Sequence, residues 1–314
     1  MKNLFAILLL IPTLAFAWSP TKPVECLIGH TPGTVNESVF RMLAVEVEKN
    51  TKAKFIIINK PGVGGAIASS ETSKKPADGY HINMVSIPGT VAVDKIALPT
   101  KDYEVSSFEY VFDAAQSPFA IVANANNSVS TPAEWVKDVK NNKVSITANG
   151  GARLAYEEIA VKLNLREDIN GIVRINHKGP VDAVIDVVNG NVTYAFVPVT
   201  VANTFYKGNK IKIIAVTSVK PMPQWPNIPT MNTVVPNYSV LANWGLVLPK
   251  GAPAEVVEWY SREFNKALKS PAVIDYYNEN LLQLVPYTTP KSFENYVKNL
   301  EIQLQPIVDT VLLK

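Results

Sequence analysis

Apolar and polar positions follow one another along this chain in short blocks, and the blocks recur in the same order. An apolar run from Val24 to Ile28 gives way to small and polar residues, then to Val39, Phe40, Leu43 and Val47 at helical spacing. The pattern predicts a strand, a loop and a helix opened by Thr34 or Asn36. Phe55 to Ile58 is a second, β-branched run, and a glycine-rich stretch carries it into a helical pattern ending near Thr72. Tyr80 to Val85 is a third run, ending at Ser86-Ile87-Pro88-Gly89-Thr90. This βαβαβ order predicts an open parallel sheet of the α/β class, where ligands collect beyond the carboxyl ends of the strands.

Another strand region spans Tyr110 to Ala123, after which the chain turns polar, and a first domain crossing is expected near Asn124. Thr131-Pro132-Ala133-Glu134 opens a helix through Val139. Strands follow at Val144 to Ala148, Ile172 to Ile175, Val192 to Val197 and Ile211 to Thr217, with a helix from Val181 to Val188. Pro221 to Pro229 holds four prolines around Trp225 and reads as an exposed, rigid loop. Tyr238 to Leu248 leads back to the first domain, ahead of helices Ala254 to Lys269 and Pro290 to Val311, the last packing on that domain. The expected domains are 18–123 with 242–314, and 124–241.

Composition changes this picture at the N-terminus. Lys2, the apolar run from Phe5 to Leu14 and the small-x-small site Ala15-Phe16-Ala17 read as a secretory signal, residues 1–17, cleaved after Ala17. The mature chain is then exported. Its single cysteine, Cys26, lies inside a strand pattern, so neither an internal disulfide nor a lipid anchor is expected. Without Lys2 the 30 basic residues fall to 29 against 27 acidic ones, a balance of +2 that gives no sign of a nucleic-acid surface. No later segment approaches the ~18 apolar residues of a membrane span.

The loops carry the candidate chemistry. At a strand, loop and helix junction, free backbone N–H groups and the positive end of the helix dipole suit an anion. His30, Thr31, Thr34 and Asn36 add donors, and no acid precedes Glu37 in that loop. A plainer reading is that Gly29, Pro32 and Gly33 only turn the chain. A dinucleotide fingerprint fails in the second loop, because the third glycine or alanine counted from Gly62 and Gly64 falls on Ile67.

The order K-P-G-V-G-G-A-I-A-S, then P-A-D-G-Y, then a strand and a small-residue loop, resembles the periplasmic solute-binding (Bug-type) receptors of tripartite tricarboxylate transporters. T-P-G-T-V-N-E resembles that family's P-G-G-x-x-D loop, and N-W-G-L-V-L-P-K-G-A-P its W-x-G-L-x-A-P-x-G-T-P passage. The resemblance runs over nearly the whole mature chain. It implies a type II periplasmic binding protein fold: two α/β lobes, each with a mostly parallel sheet flanked by helices, joined by two crossings and closing around a small carboxylate. It also implies a membrane permease as partner. Asn36 stands where the family usually has aspartate, and Asn176-His177 where it has Pro-Tyr.

The expected ligand residues are His30, Thr31, Gly33, Thr34 and Asn36 in one loop, and Ser86, Gly89 and Thr90 in another. From the second lobe come Asn149, Gly150, Gly151 and Arg153, with Pro198 and Val199 as the far wall. Arg153 either meets a second carboxylate of a diacid or pairs with Glu157 one turn on. His177 and Lys178 either face the cleft or lie at a solvated helix start. His81 reads as packed in its strand, and Phe119 and Trp244 as core or hinge. No cofactor or metal is expected, and the receptor is expected to be a monomer. The rival is an exported α/β enzyme acting on a carboxylate-containing substrate, although G-x-S-x-G and H-E-x-x-H are both absent.

Overall fold

The computed structural model describes residues 18–312 apart from Pro99, Lys178 and Pro286, so the expected signal segment lies outside the described residues. The first lobe opens with β1 (Val24–Ile28), α1 (Val35–Asn50), β2 (Phe55–Asn59), α2 (Ala66–Ser73), β3 (His81–Ser86) and the short α3 (Asp94–Ala97). The long β4 (Phe108–Asn124) leaves it. The second lobe holds α4 (Pro132–Asn141), β5 (Val144–Ala148), α5 (Gly151–Lys162), α6 (Glu167–Asn170), β6 (Ile172–Arg174), α7 (Pro180–Val188), β7 (Tyr194–Pro198), α8 (Val199–Lys207) and β8 (Ile211–Val216). The chain returns along β9 (Leu241–Pro249) and ends in α9 (Ala254–Ala267), α10 (Pro271–Glu279) and α11 (Pro290–Leu312).

Local sequence explains most of these elements. In α1, Val39, Phe40, Leu43 and Val47 form the buried stripe the spacing predicts. In β1 every residue but Glu25 is buried, as in a strand covered on both faces. Thr131 and Glu134 close a capping box at α4, with Pro132 in the first turn.

The sheet topology repeats itself. The first sheet runs β2-β1-β3-β9-β4 and the second β6-β5-β7-β4-β8, with β4 shared between them. In each, three strands run parallel and the last two add antiparallel pairs. The loops after β1 and β5 therefore occupy equivalent places, as do those after β3 and β7.

The crossing differs from the sequence reading. β4 is one continuous strand, and it pairs with β9 up to Pro118 and with β7 and β8 from Phe119 and Ala120 onward. The change of partner thus falls at Pro118/Phe119 and not near Asn124, because strand pairing passes through the crossing without a polar break. Buried Thr217 joins this crossing to the returning one. Its hydroxyl accepts from the Phe119 N–H at 2.8 Å and donates to the Val240 carbonyl. Trp225 also departs from expectation: it packs with Met222 and Ile228 into the second-lobe core, so the proline loop folds inward. Helix α11 packs on β4 and on α5, and the Phe293 ring fills the space over Gly245, where a Cβ would lie 2.2 Å from it.

Candidate functional site

Three first-lobe loops meet at the carboxyl ends of their strands. Gly29 lies so close to the second loop that a Cβ on it would stand 2.4 Å from the Gly65 Cα. In turn Gly65 faces the His30 ring, and Gly89 faces Ser86 and the Gly64 carbonyl. Gly62, Val63, Gly64 and Gly65 all have positive φ, which three glycines permit freely and Val63 adopts at +46° against its β-branched preference. Ile67 is exposed, with its Cδ1 over Gly62, so the residue that breaks the dinucleotide fingerprint covers the loop.

His30 is the best-placed donor. Its Nδ1 is 2.7 Å from the Asn36 amide nitrogen, and its carbonyl accepts from Asn59 Nδ2 at 3.0 Å. Nε2 has no partner among the described residues, and burial holds the ring's pKa below the usual imidazole value. Asn36 itself is buried and reaches the site through His30. The N–H groups of Val35, Asn36 and Glu37, in the first turn of α1, make no hydrogen bond among the described residues.

Other expected donors are already engaged. Gly33 N–H donates to Glu37 Oε2 at 3.0 Å, and the Thr34 hydroxyl to the carbonyl of exposed Thr31 at 2.9 Å. These bonds hold the loop's shape and spend the Gly33 N–H and the Thr34 hydroxyl proton within it. Glu37 is nearly buried, and the Arg41 guanidinium holds its carboxyl below the usual range. Asn59, which the sequence reading missed, ties Glu37 to the His30 carbonyl.

Behind the loops lies a small cavity of ≈ 10 Å³, lined in part by His30, Gly65, Asn83, Ser86, Thr90 and Asp94. Asp94 takes the Tyr103 hydroxyl on one oxygen, while its Oδ1 and the Asn83 Oδ1 are buried without partners. Burial pushes the Asp94 carboxyl up to about 7. Ser86 is half-buried, while Gly89 and Thr90 are buried in the turn Gly89–Val93 that closes the chamber.

The second lobe brings α5 against this same Gly89–Val93 turn. Gly150, at φ +57°, turns β5 into α5, and Gly151 rests on Phe119, where a Cβ would be 3.1 Å from the ring. Asn149 donates its amide to the His177 carbonyl. His177 is neither a cleft residue nor solvated: its side chain is buried, with Nδ1 2.9 Å from Thr147 Oγ1 and Nε2 2.7 Å from Asp186 Oδ2. Lys178 lies outside the described residues.

Arg153 lies one turn before Glu157, with its Nε at 3.4 Å, but that carboxylate is held more closely by Arg174. Val199, the first residue of α8, is fully buried in the second-lobe core, so its side chain cannot serve as a wall. Pro198, opposite Phe119, stays half-buried, and Thr200, two residues on, carries a buried hydroxyl with no partner among the described residues. His81 stands beside Glu25 in the β1–β3 pair, and Phe119 and Trp244 are buried at the crossings. Among the described residues no cluster of three or more metal-ligating side chains occurs, and no helix is long and apolar enough to cross a membrane.

The model of the tripartite tricarboxylate transporter family receptor matches residues 39–310. The chain belongs to this family. Its members are receptors and not enzymes, which displaces the exported-enzyme alternative. A relative from Pseudomonas sp. strain P51, a UPF0065 protein of the tcbD-tcbE intergenic region, is 27% identical over 264 residues, covering 82% of this chain and 76% of its own. The structure of R. palustris Rpa4515 with adipate superposes with TM-score 0.81 at 21% identity over 93% of this chain, and MatC of Rhodopseudomonas palustris matches over 92% of it. The adipate structure is covered over 98% of its length. MatC, solved with malate, gives TM-score 0.79 at 19% identity and is covered over 100%. These likenesses carry the fold of the family receptor across the whole described chain.

Proposed function

We propose that this protein is a periplasmic receptor that holds a small organic carboxylate between its lobes and hands it to a membrane permease. The observation that carries the reading is the convergence of the Gly29–His30, Gly64–Gly65 and Ser86–Thr90 loops at a place against which α5 of the other lobe also packs. Unfilled N–H groups at the start of α1 and the free Nε2 of His30 would share the carboxylate's charge as charge-assisted hydrogen bonds. Relatives of the same fold hold adipate and malate, both small diacids.

Capture closes the lobes about the two crossings, with Pro118/Phe119 and Val240/Leu241 absorbing the rotation and Thr217 keeping them in step. The closed form is what the permease meets, and the protein acts as a monomer. Arg153 has donors beyond its contact with Glu157, which favours a diacid over a monoacid.

Thermal unfolding of the mature protein against a panel of mono-, di- and tricarboxylates tests this. An acid present at 100 times its dissociation constant raises stability by about 2.7 kcal/mol. If no member of the panel shifts the transition, the carboxylate reading fails. Calorimetry on Arg153→Ala then separates the classes, since a diacid loses affinity and a monoacid does not.

A further inference from the structure

His30 and Asn36 form a pair whose chemistry is more constrained than the contact alone conveys. Asn36 is 2% exposed and sits in the first turn of α1, and its amide nitrogen is the atom that meets His30 Nδ1. An amide N–H only donates, so the Nδ1 it meets must present a lone pair. A neutral imidazole has one ring proton, and with Nδ1 accepting, that proton is on Nε2. Nε2 is also the ring atom without a partner among the described residues. The ring is held from behind as well, with its own carbonyl tied to Asn59 and its Cε1 against Gly65.

We propose that Asn36 is a positioning residue that locks His30 as a neutral Nε2–H donor, so that the receptor meets an ionised carboxylate with a hydrogen bond and no imidazolium charge. This deepens the carboxylate reading and rests on it for the identity of the acceptor. With an acceptor at position 36 the proton would move to Nδ1, and Nε2 would turn a lone pair toward the incoming oxygen. The neutral amide therefore sets which ligand atom the loop accepts, without changing its backbone.

The charged groups around the ring fit this arrangement. Asp94 lines the same cavity from the end of the Gly89–Val93 turn, and Glu37 lies behind the loop with Arg41 on its far oxygen. The Lys60–Glu71 pair follows β2. None of them bonds to the imidazole among the described residues, and burial of the ring disfavours a second proton. In Asn36→Asp the new carboxylate accepts from Nδ1–H and stabilises the imidazolium.

Nitrogen-15 NMR of the histidine-labelled mature protein, without ligand, reads the tautomer directly. The expected result is His30 protonated at Nε2 alone from about pH 6 to about pH 8, and Nδ1 protonated in Asn36→Asp with the imidazolium populated at the lower pH. Asn36→Ala, which removes the lock, gives a mixture of tautomers. Calorimetry with adipate and with malate completes the test. Wild-type affinity changes less than about threefold across that range, whereas Asn36→Asp binds roughly tenfold tighter at the acid end. A proton on Nδ1 in the wild type overturns the proposal, and so does a wild-type pH profile as steep as that of the variant. If neither acid binds, the carboxylate reading is what fails, and the tautomer measurement still decides the role of Asn36.

Discussion

The two cradles occupy equivalent places in a repeated topology, and each contains a histidine, yet the histidines are used in opposite ways. After β1, His30 has one ring nitrogen held by Asn36 and the other without a partner among the described residues. On the β6 side of the β5 loop, His177 has both nitrogens engaged, by Thr147 and Asp186, and gives its carbonyl to Asn149. One ring is available to a ligand and the other is consumed in bracing the loop. The same contrast runs deeper into each lobe. First-lobe Asp94 and Asp113 are buried and form no ion pair among the described residues, whereas second-lobe Glu157 is buried between two arginines. Which groups are already satisfied, and not which residue types are present, separates the receptive surface from its support.

The largest expected effect tests the unpaired carboxylates. Burial pushes Asp94 up to about 7 and Asp113 up to about 8, above the ~3.9 of an unfolded aspartate. Between those values the folded chain keeps protons that the unfolded chain has released, so stability falls as pH rises through that window and levels off above the folded values. Unfolding in urea from about pH 5 to about pH 9 would show this as a loss of several kcal/mol. Asp113→Asn is expected to remove the upper part of the slope, and a slope that the variant leaves intact would assign the effect elsewhere.

Next in size, Gly29→Ala drives a Cβ into the Gly65 backbone and is expected to cost about 3 kcal/mol and to open the first cradle. In the second-lobe loop Gly150→Ala meets nothing within 4 Å and carries only the backbone strain of φ +57° with ψ −134°, about 2 kcal/mol. Equal losses in the two variants would contradict the contrast between a packed cradle and an open turn.

The histidines give the sharpest comparison. His177→Ala leaves the buried Thr147 hydroxyl without its partner and opens a cavity beneath the loop, for about 2 kcal/mol of stability. His30→Ala leaves the buried Asn36 amide without its partner and is expected to cost about 1 kcal/mol, while weakening a bound carboxylate about tenfold. Melting curves and calorimetry on the same two variants separate these outcomes. A reversed pattern, with His30 governing stability and His177 affinity, would exchange the roles of the two cradles.

Much of the architecture was legible because its signals are local. Val24 to Ile28 is mostly apolar and Val144 to Ala148 alternates apolar with small polar residues, both with the observed strand bounds, and Thr131 with Glu134 marks the start of α4. Polarity along the chain changes at Asn124, whereas the pairing partner of β4 changes at Pro118/Phe119, which depends on segments distant in sequence. Trp225 was read as exposed because prolines mark loops but do not say which way a loop folds.

By itself the sequence determined the alternation of strands and helices, the glycines at the turns and the family, since each rests on neighbouring residues or on motifs of a few positions. Only the tertiary structure decided that Gly33 and Asn149 spend donors internally, that Val199 faces the core and that His177 braces what His30 serves. The physical reason is that a donor's availability depends on acceptors brought to it by distant segments. Asp186 and Thr147 reach His177 from two other elements, and Asn59 reaches His30 from a neighbouring strand.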